Sequence, residues 1–456
     1  MEQTKEQKLG TMPLPRLMAS LAIPSVIAQL INVLYNIIDR MYIGHIPGSG
    51  PVALTGVGLT FPIITLISAF SAFIGAGGAP LASISLGKGD RDRAEKILGN
   101  GVSVLLIFSA SLTVLFMLFR RPLLYMFGAS DQTIRYGVDY ITIYLVGTVF
   151  VQLALGLNMF ITSQGQARTA MLSVLIGAII NIVLDPVFIF ALHMNVQGAA
   201  LATVISQAVS AIWVVHFLSS EKSAIRIRRK NMIPDLSIIK KIMALGISPF
   251  IMQATESAIS IVLNRGLSIY GGDLYVGSMT ILQSVMQLIV IPIQGFTQGV
   301  QPIISYNFGA RKFDRVKKTY RLTICFTFTV ATFLCILTLF LPGMFAGIFT
   351  SDQELIALVK KVMPIFMAGI AVFGIQMGCQ TTFMGLGQAK ISLFIALLRK
   401  VILLIPLALI LPKFFGVMGI YYAEPISDIT AATTATIIFL CVRKRIVSED
   451  ALKRLN

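Results

Sequence analysis

Apolar runs of about 20 residues or more recur along the whole chain, divided by short charged or Gly/Pro-rich stretches, and each is long enough for an α-helix to cross a bilayer. The pattern predicts twelve helices, near residues 14–44, 52–84, 94–119, 134–163, 168–191, 196–219, 238–270, 275–304, 317–341, 355–384, 390–412 and 416–442. Several exceed 25 residues, so tilt or kinking is expected. Pro24, Pro62, Pro186, Pro249, Pro292, Pro406 and Pro425 lie within or near spans and supply candidate kinks. The short alternating strands of a membrane barrel do not fit runs of this length. The fold expected is all-α and integral to the membrane.

The pattern also repeats. SLGKGDR at 85–91 returns as SYNFGAR at 305–311, SDQ at 130–132 as SDQ at 351–353, and GQAR at 165–168 as GQAK at 387–390. VQGAALATVISQ at 196–207 matches VMGIYYAEPISD at 417–428, Pro24 matches Pro249, and Asp39-Arg40 aligns with Asn264-Arg265. The offset stays near 220–225 residues. An even number of spans per half makes this a parallel repeat, two pseudo-symmetric six-helix bundles about an axis along the membrane normal. The domains expected are an N-terminal lobe over 1–220, a basic linker over 221–237 and a C-terminal lobe over 238–456.

Composition agrees with the pattern. Of 456 residues 56% are hydrophobic and 12% charged, where soluble domains carry about 25% charged residues; mean hydropathy is +0.83. The net charge of +17 is a matter of placement. Twenty-seven of the 37 Lys and Arg fall at the termini and in the even-numbered connections, against six on the opposite side. That asymmetry is the positive-inside signature and places both termini in the cytoplasm. No basic stripe is interleaved with aromatic residues, so nucleic acid is excluded as a partner. The polar N-terminus has no signal-peptide pattern. Cys325, Cys335, Cys379 and Cys441 lie in apolar runs without pairing or metal spacing and are expected as small core residues. His45, His193 and His216 are scattered and form no metal or nucleophile set, so no cofactor and no enzyme activity are expected. GAGGAP at 75–80 lacks the Lys-Ser/Thr of a phosphate loop and is expected to be a site of close helix packing.

The candidate chemistry is acidic. A charged group within a membrane costs at least ~2.5–3.5 kcal/mol on insertion scales, which makes an intramembrane carboxylate a functional candidate. Asp39 in span 1, Asp185 in span 5 and Thr203 in span 6 all fall roughly 10 Å below the distal surface at ~1.5 Å per helical residue, so one cavity can hold them. Tyr35 and Asn181 lie four residues before Asp39 and Asp185, on the same helix faces. Pro186 frees a carbonyl beside Asp185. Arg40 points about 100° away from Asp39 and is expected to reach outward. Two acids in an apolar wall suit a proton, because burial and a second carboxylate both disfavour the charged form; the same oxygens suit a sodium ion.

The second half differs. Asn264 replaces Asp39, and Glu424 and Asp428 replace Thr203 and Gln207. Glu256 in span 7 is a further acid near mid-bilayer. These acids are candidates for binding cationic substrates, the alternative being pairing with Arg265, Arg399 or Lys400. Met252, Met286, Met363, Met377 and Met384 are candidate linings of an adaptable pocket.

Together, the two six-span halves, Pro24 and Asp39 in span 1, NIVLDP in span 5 and GAALAT in span 6 resemble the multidrug and toxic compound extrusion (MATE) transporters, nearest the DinF/MepA-like branch. The resemblance implies two bundles forming a V. It implies an N-lobe cation or proton network of Asp39, Asn158, Asn181, Asp185 and Thr203 with Tyr35 and Tyr140, and a hinge at Pro24, which matches the proline that bends span 1 on protonation. The sodium-coupled branch uses a span 7 glutamate, matched by Glu256, and a span 10 aspartate, where this chain has Gln376 and Gln380. That departure favours protons. The expected function is a monomeric antiporter of the bacterial plasma membrane exporting lipophilic or cationic small molecules in exchange for H⁺. Candidate substrate residues are Glu256, Glu424, Asp428, Gln376, Gln380, Met252 and Met286. A Na⁺-coupled drug antiporter and a flippase for lipid-linked precursors are the alternatives.

Overall fold

The computed structural model describes residues 5–455, which form helices joined by short turns, with no strand among them. Eleven helices are long and apolar enough to cross a membrane, and a bent pair makes the twelfth. In the first half these are α1 (Leu14–Gly44), α2 (Phe61–Gly87), α3 (Arg91–Met126), α4 (Ile134–Val146 with Thr148–Ser163), α5 (Ala167–Pro186 with Val187–Ala191) and α6 (Asn195–Ser219). The second half holds α7 (Leu236–Tyr270), α8 (Asp273–Gly309) and α9 (Phe313–Phe340). It continues with α10 (Gln353–Phe366, Met367–Gly369 and Ile370–Gly385), α11 (Ala389–Leu397, Leu398–Leu404 and Ile405–Ile410) and α12 (Met418–Ile446).

Two boundaries and one bend depart most from the sequence reading. The second span starts at Phe61, because Gly50–Gly58 folds as a separate short helix and Pro62 opens the next one. The third runs on to Met126. The fourth bends by 60° at Gly147, where an added Cβ would meet Val204 of α6 at 2.5 Å. Both α5 and α11 contain a π-helical stretch: Val187–Ala191 directly follows Pro186, and Leu398–Leu404 ends two residues before the repeat-related Pro406. A wide turn is one way a helix accommodates a lost backbone bond, and such turns gather at functional sites. The cysteine reading needs correction: Cys335 and Cys379 are buried, but Cys325 and Cys441 are exposed on helix surfaces.

The two lobes join on one side only. In the half distant from the termini, one apolar core is made wholly of N-lobe residues such as Ile43, Ile67 and Ile141, and another wholly of C-lobe residues such as Val285, Phe366 and Tyr421. In the half near the termini the cores mix the lobes: Leu21 with Val300, Leu98 with Ile242, and Ile84 with Phe308. The helices therefore form a V that is closed on the terminal side.

Glycine sets the closure. A Cβ on Gly77 would lie 2.2 Å from the Ile242 carbonyl, and one on Gly246 would lie 1.7 Å from that of Phe73, so α2 and α7 touch backbone to backbone. The pseudo-twofold partner contact brings Gly299 of α8 against α1, where an added Cβ would lie 2.6 Å from the Leu21 carbonyl oxygen. On the axis itself, a Cβ on Gly87 would lie 2.0 Å from the Tyr306 carbonyl oxygen and one on Gly309 2.0 Å from that of Ile84. The structural equivalence is thus Gly87 with Gly309, two residues away from the register suggested by SLGKGDR and SYNFGAR. GAGGAP does pack closely, with Gly75 on Gly156, Gly77 on α7 and Gly78 on Phe160.

The termini lock this closed side. Carbonyls of Leu9 and Gly10 in the first lobe accept from Asn307 (2.9 Å) and Lys312 (2.8 Å) of the second, and Arg315 donates to Leu9 and Met12. The C-terminal carbonyls of Leu452 and Leu455 accept from Lys88 (3.4 Å) and Arg93 (3.0 Å) of the first lobe. Each terminus also covers its own lobe's GQA turn: Leu9 lies on Gly165 and Leu455 on Gly387, both at positive φ. The linker is a fixed strap. Buried Glu95 accepts from Arg228 at 2.7 Å, and Asn100 accepts from the Asp235 amide at 2.6 Å.

Candidate ion-binding site

The distal half of the first lobe holds a polar pocket in an apolar core. Asp39 comes from α1, Asn181 and Asp185 from α5, Thr203 from α6 and Tyr140 from α4. Asp39, Asn181, Asp185 and Tyr140 are buried, and Tyr35 and Thr203 half-buried. Helical spacing of four sets Asn181 behind Asp185, and its amide donates to the Asp185 carboxylate at 3.3 Å and to the Thr203 hydroxyl at 3.4 Å. Thr203 in turn donates to the Ala199 carbonyl at 3.0 Å, leaving its oxygen free to accept. The two carboxylates lie close enough to act on each other electrostatically, and Tyr140 faces both from beside Thr203. Arg40 turns away onto the Phe61 ring, 5.1 Å from its centroid, as expected from its place on the helix.

This cluster has unmet acceptor capacity. Asp39 Oδ1, Asp185 Oδ2 and Asn181 Oδ1 are buried and accept no hydrogen bond from the protein. Buried polar atoms are nearly always paired, and each exception calls for an explanation. Three acceptors without a donor, contributed by α1 and α5 and including two acids, have the chemistry that a small cation or a proton would satisfy.

The sequence reading missed Tyr144, whose ring stacks on Tyr140 with centroids 6.4 Å apart; its spacing of four from Tyr140 was the available signal. Asn158 is brought elsewhere: its amide donates to Ser173 and, at 3.0 Å, to the Ala170 carbonyl, tying α4 to α5. Gln380 is its counterpart, donating to Ser392 at 2.7 Å and Ser248 at 2.8 Å. Both amide nitrogens are spent on helix ties, of the kind that hold neighbouring membrane helices together, while the Gln380 carbonyl oxygen stays buried without a partner.

The second lobe corrects the expected substrate residues. Glu424 and Asp428 are not open acids: Arg399 donates to them at 3.2 and 2.6 Å. Glu256 is half-exposed and takes Lys400 at 2.9 Å. Pairing with Arg399 and Lys400, weighed above as the alternative, is what the fold adopts. Arg265 is exposed. Gln376 is buried with its carbonyl oxygen unpartnered. Met363, Met377 and Met384 belong to the apolar cores, whereas Met252 and Met286 are only partly buried. Pro24 sits inside an unbroken α1.

Comparison with known proteins agrees with this architecture. The chain is 27% identical over 435 residues to the multidrug export protein MepA of Staphylococcus haemolyticus (strain JCSC1435), covering 95% of each chain. It is 25% identical over 440 residues to MepA of Staphylococcus aureus (strain N315), covering 96% of each. Among solved structures, a MATE protein in the bent conformation superimposes with a TM-score of 0.89 at 25% identity, covering 100% of this chain and 99% of that one. The outward-facing conformation of a multidrug resistance MATE family transporter gives 0.88 at 23% identity over the full length of both. The MatE family description matches twice, at residues 24–187 and again at 249–410, once in each lobe. With both halves of its V matched in this way, the chain belongs to the MatE family of membrane transporters.

Proposed function

We propose that this protein exports lipophilic and cationic small molecules across the bacterial plasma membrane in exchange for protons bound by Asp39 and Asp185. The observation that carries the reading is the set of unpartnered acceptors, Asp39 Oδ1, Asp185 Oδ2 and Asn181 Oδ1, buried together at membrane depth with no base among them. A proton arriving there removes a charge from an apolar wall, and its departure restores it; both events bias α1 against α5. Alternating access then follows from rocking the lobes about their glycine crossings. The charge asymmetry of the loops supports a cytoplasmic closed side, and on that reading this conformer is outward-facing. The multidrug export activity named for the MepA relatives supports the substrate class. Sodium is the second reading, favoured by the same oxygen set. Against it, Lys400 already occupies Glu256 and α10 offers amides, Gln376 and Gln380, in place of an acid. The C-lobe cluster carries more acid than base, which does not suit a pyrophosphate-linked lipid.

The test is dye exchange in proteoliposomes. An imposed proton gradient should drive movement of an ethidium-like cation, and Asp39→Asn should abolish it. Movement that answers only a sodium gradient overturns the proton assignment.

A further inference from the structure

We propose that the Glu424–Asp428 pair of the second lobe is a separate proton-binding site, built on Arg399 and loaded independently of the Asp39–Asp185 pocket. Glu424 and Asp428 are one helical turn apart on α12 and project from the same face. The π-helical stretch of α11 carries Arg399 between them, with its Nε 2.6 Å from Asp428 Oδ1 and a terminal nitrogen 3.2 Å from Glu424 Oε1. Phe373 covers the guanidinium at 4.3 Å from its ring centroid, and the Ser427 hydroxyl donates to the Arg399 carbonyl at 2.7 Å. All three ionic side chains are at most 5% exposed.

The charges do not balance. Three carboxylates, Glu256, Glu424 and Asp428, face two cations, and Lys400 is taken by Glu256 at 2.9 Å. Arg399 is left to neutralise two acids. The other charged residues on elements packed against α12 are Lys240, Lys241 and Arg265 of α7, Glu354, Lys360 and Lys361 of α10, Lys390 of α11, Lys413 beyond it, and Glu449, Asp450 and Lys453 of the short helix after α12; Lys241 is half-buried and the others are exposed at the surface. Arginine does not give up its proton in proteins, so the excess negative charge is relieved by a proton on one carboxyl. A second observation points to the same place. Asp428 Oδ2 is fully buried and has no hydrogen-bond donor, so an ionised carboxylate there is half unpaired. Two acids this close titrate as a unit, and the proton belongs to the pair. Glu424 and Asp428 stand where the repeat has Thr203 and Gln207 in the first lobe, so the second site lies at the depth of the first.

The experiment is infrared difference spectroscopy of the purified full-length protein during a pH titration. The chain carries Asp39→Asn and Asp185→Asn, so the first pocket is silent. A protonated carboxyl carbonyl band should persist, bleach as pH rises, and be lost on adding either Glu424→Gln or Asp428→Asn. Each of those substitutions leaves Arg399 with one acid, so both preserve the ion pair that holds α11 to α12. Absence of a titrating band in the double variant overturns the proposal, and so does a band that survives both added substitutions. Neither result bears on dye exchange driven through Asp39.

Discussion

Replacing Gly246 with alanine should open the terminal side of the V. The added Cβ would lie 1.7 Å from the Phe73 carbonyl oxygen and 2.7 Å from its carbon. Ordinary contact is about 3.5–4.0 Å, so α2 and α7 must part by roughly 2 Å at their tightest crossing. The obstacle is backbone, which no rotamer change relieves. Overpacking of this kind costs about 1–3 kcal/mol, and here the cost falls only on the conformer in which the lobes are closed. A coupling of that size shifts the ratio of conformers about 5- to 150-fold. The gain in helix propensity from glycine to alanine is common to both conformers and cancels. The assay is double electron–electron resonance between labels at Asp92→Cys on α3 and Lys318→Cys on α9, both exposed. The four native cysteines must first be replaced, since Cys325 and Cys441 are exposed. The long-distance population should rise in Gly246→Ala and stay unchanged in Gly347→Ala, where a new Cβ meets nothing within 4 Å. An unaltered distance distribution in Gly246→Ala would refute the claim that this crossing sets closure.

Two further outcomes follow from the same contacts. Arg399→Met should lower the thermal unfolding midpoint, because stranding two buried carboxylates costs about 3–5 kcal/mol; the loss should grow with pH as they ionise, and adding Glu424→Gln with Asp428→Asn should restore most of it. A chain ending at Val447 loses the carbonyls that receive Lys88 and Arg93, so its Asp92–Lys318 distances should lengthen as in Gly246→Ala, and unchanged distances would mean that the C-terminal clasp does not hold the lobes.

The helices were legible because membrane burial leaves long apolar runs, and the repeat because both lobes solve the same packing problem. Asp39, Asp185, Asn181 and Thr203 were legible for a related reason: polar atoms at matching depths in an apolar wall have few other places to go. The misreadings share one cause. Glu424, Asp428 and Gln380 look as available as Asp39 in one dimension, and only the placement of Arg399, Ser248 and Ser392 across the helix contacts shows them partly engaged, with Asp428 Oδ2 and Gln380 Oε1 left without a partner. The false start of the second span arose because Gly50–Gly58 is as apolar as the span it precedes. Repeat register was misjudged by two residues at Gly87 and Gly309 because the matched letters lie in the turns, while the physical constraint is a backbone approach so close that an added Cβ would lie 2.0 Å from the facing carbonyl oxygen.

The asymmetry of the lobes has a physical logic of its own. A site that exchanges a cation with solvent must lack a resident one, since a tethered ammonium or guanidinium outcompetes a free ion by the entropy it has already lost. The first lobe meets that condition: its two acids have no base within hydrogen-bond reach and keep open acceptors. The second does not, because Arg399 and Lys400 are covalently delivered to its acids by the π-helical stretch of α11. Only the excess carboxyl of that lobe stays open to a proton, a ligand small enough to add without displacing Arg399. On the proposed function, a shared fold carries an exchangeable site on one side and a largely self-neutralised one on the other. The sequence difference responsible is confined to a few positions: Asn264 for Asp39, Glu424 for Thr203, and an Arg-Lys pair inserted into an otherwise apolar helix.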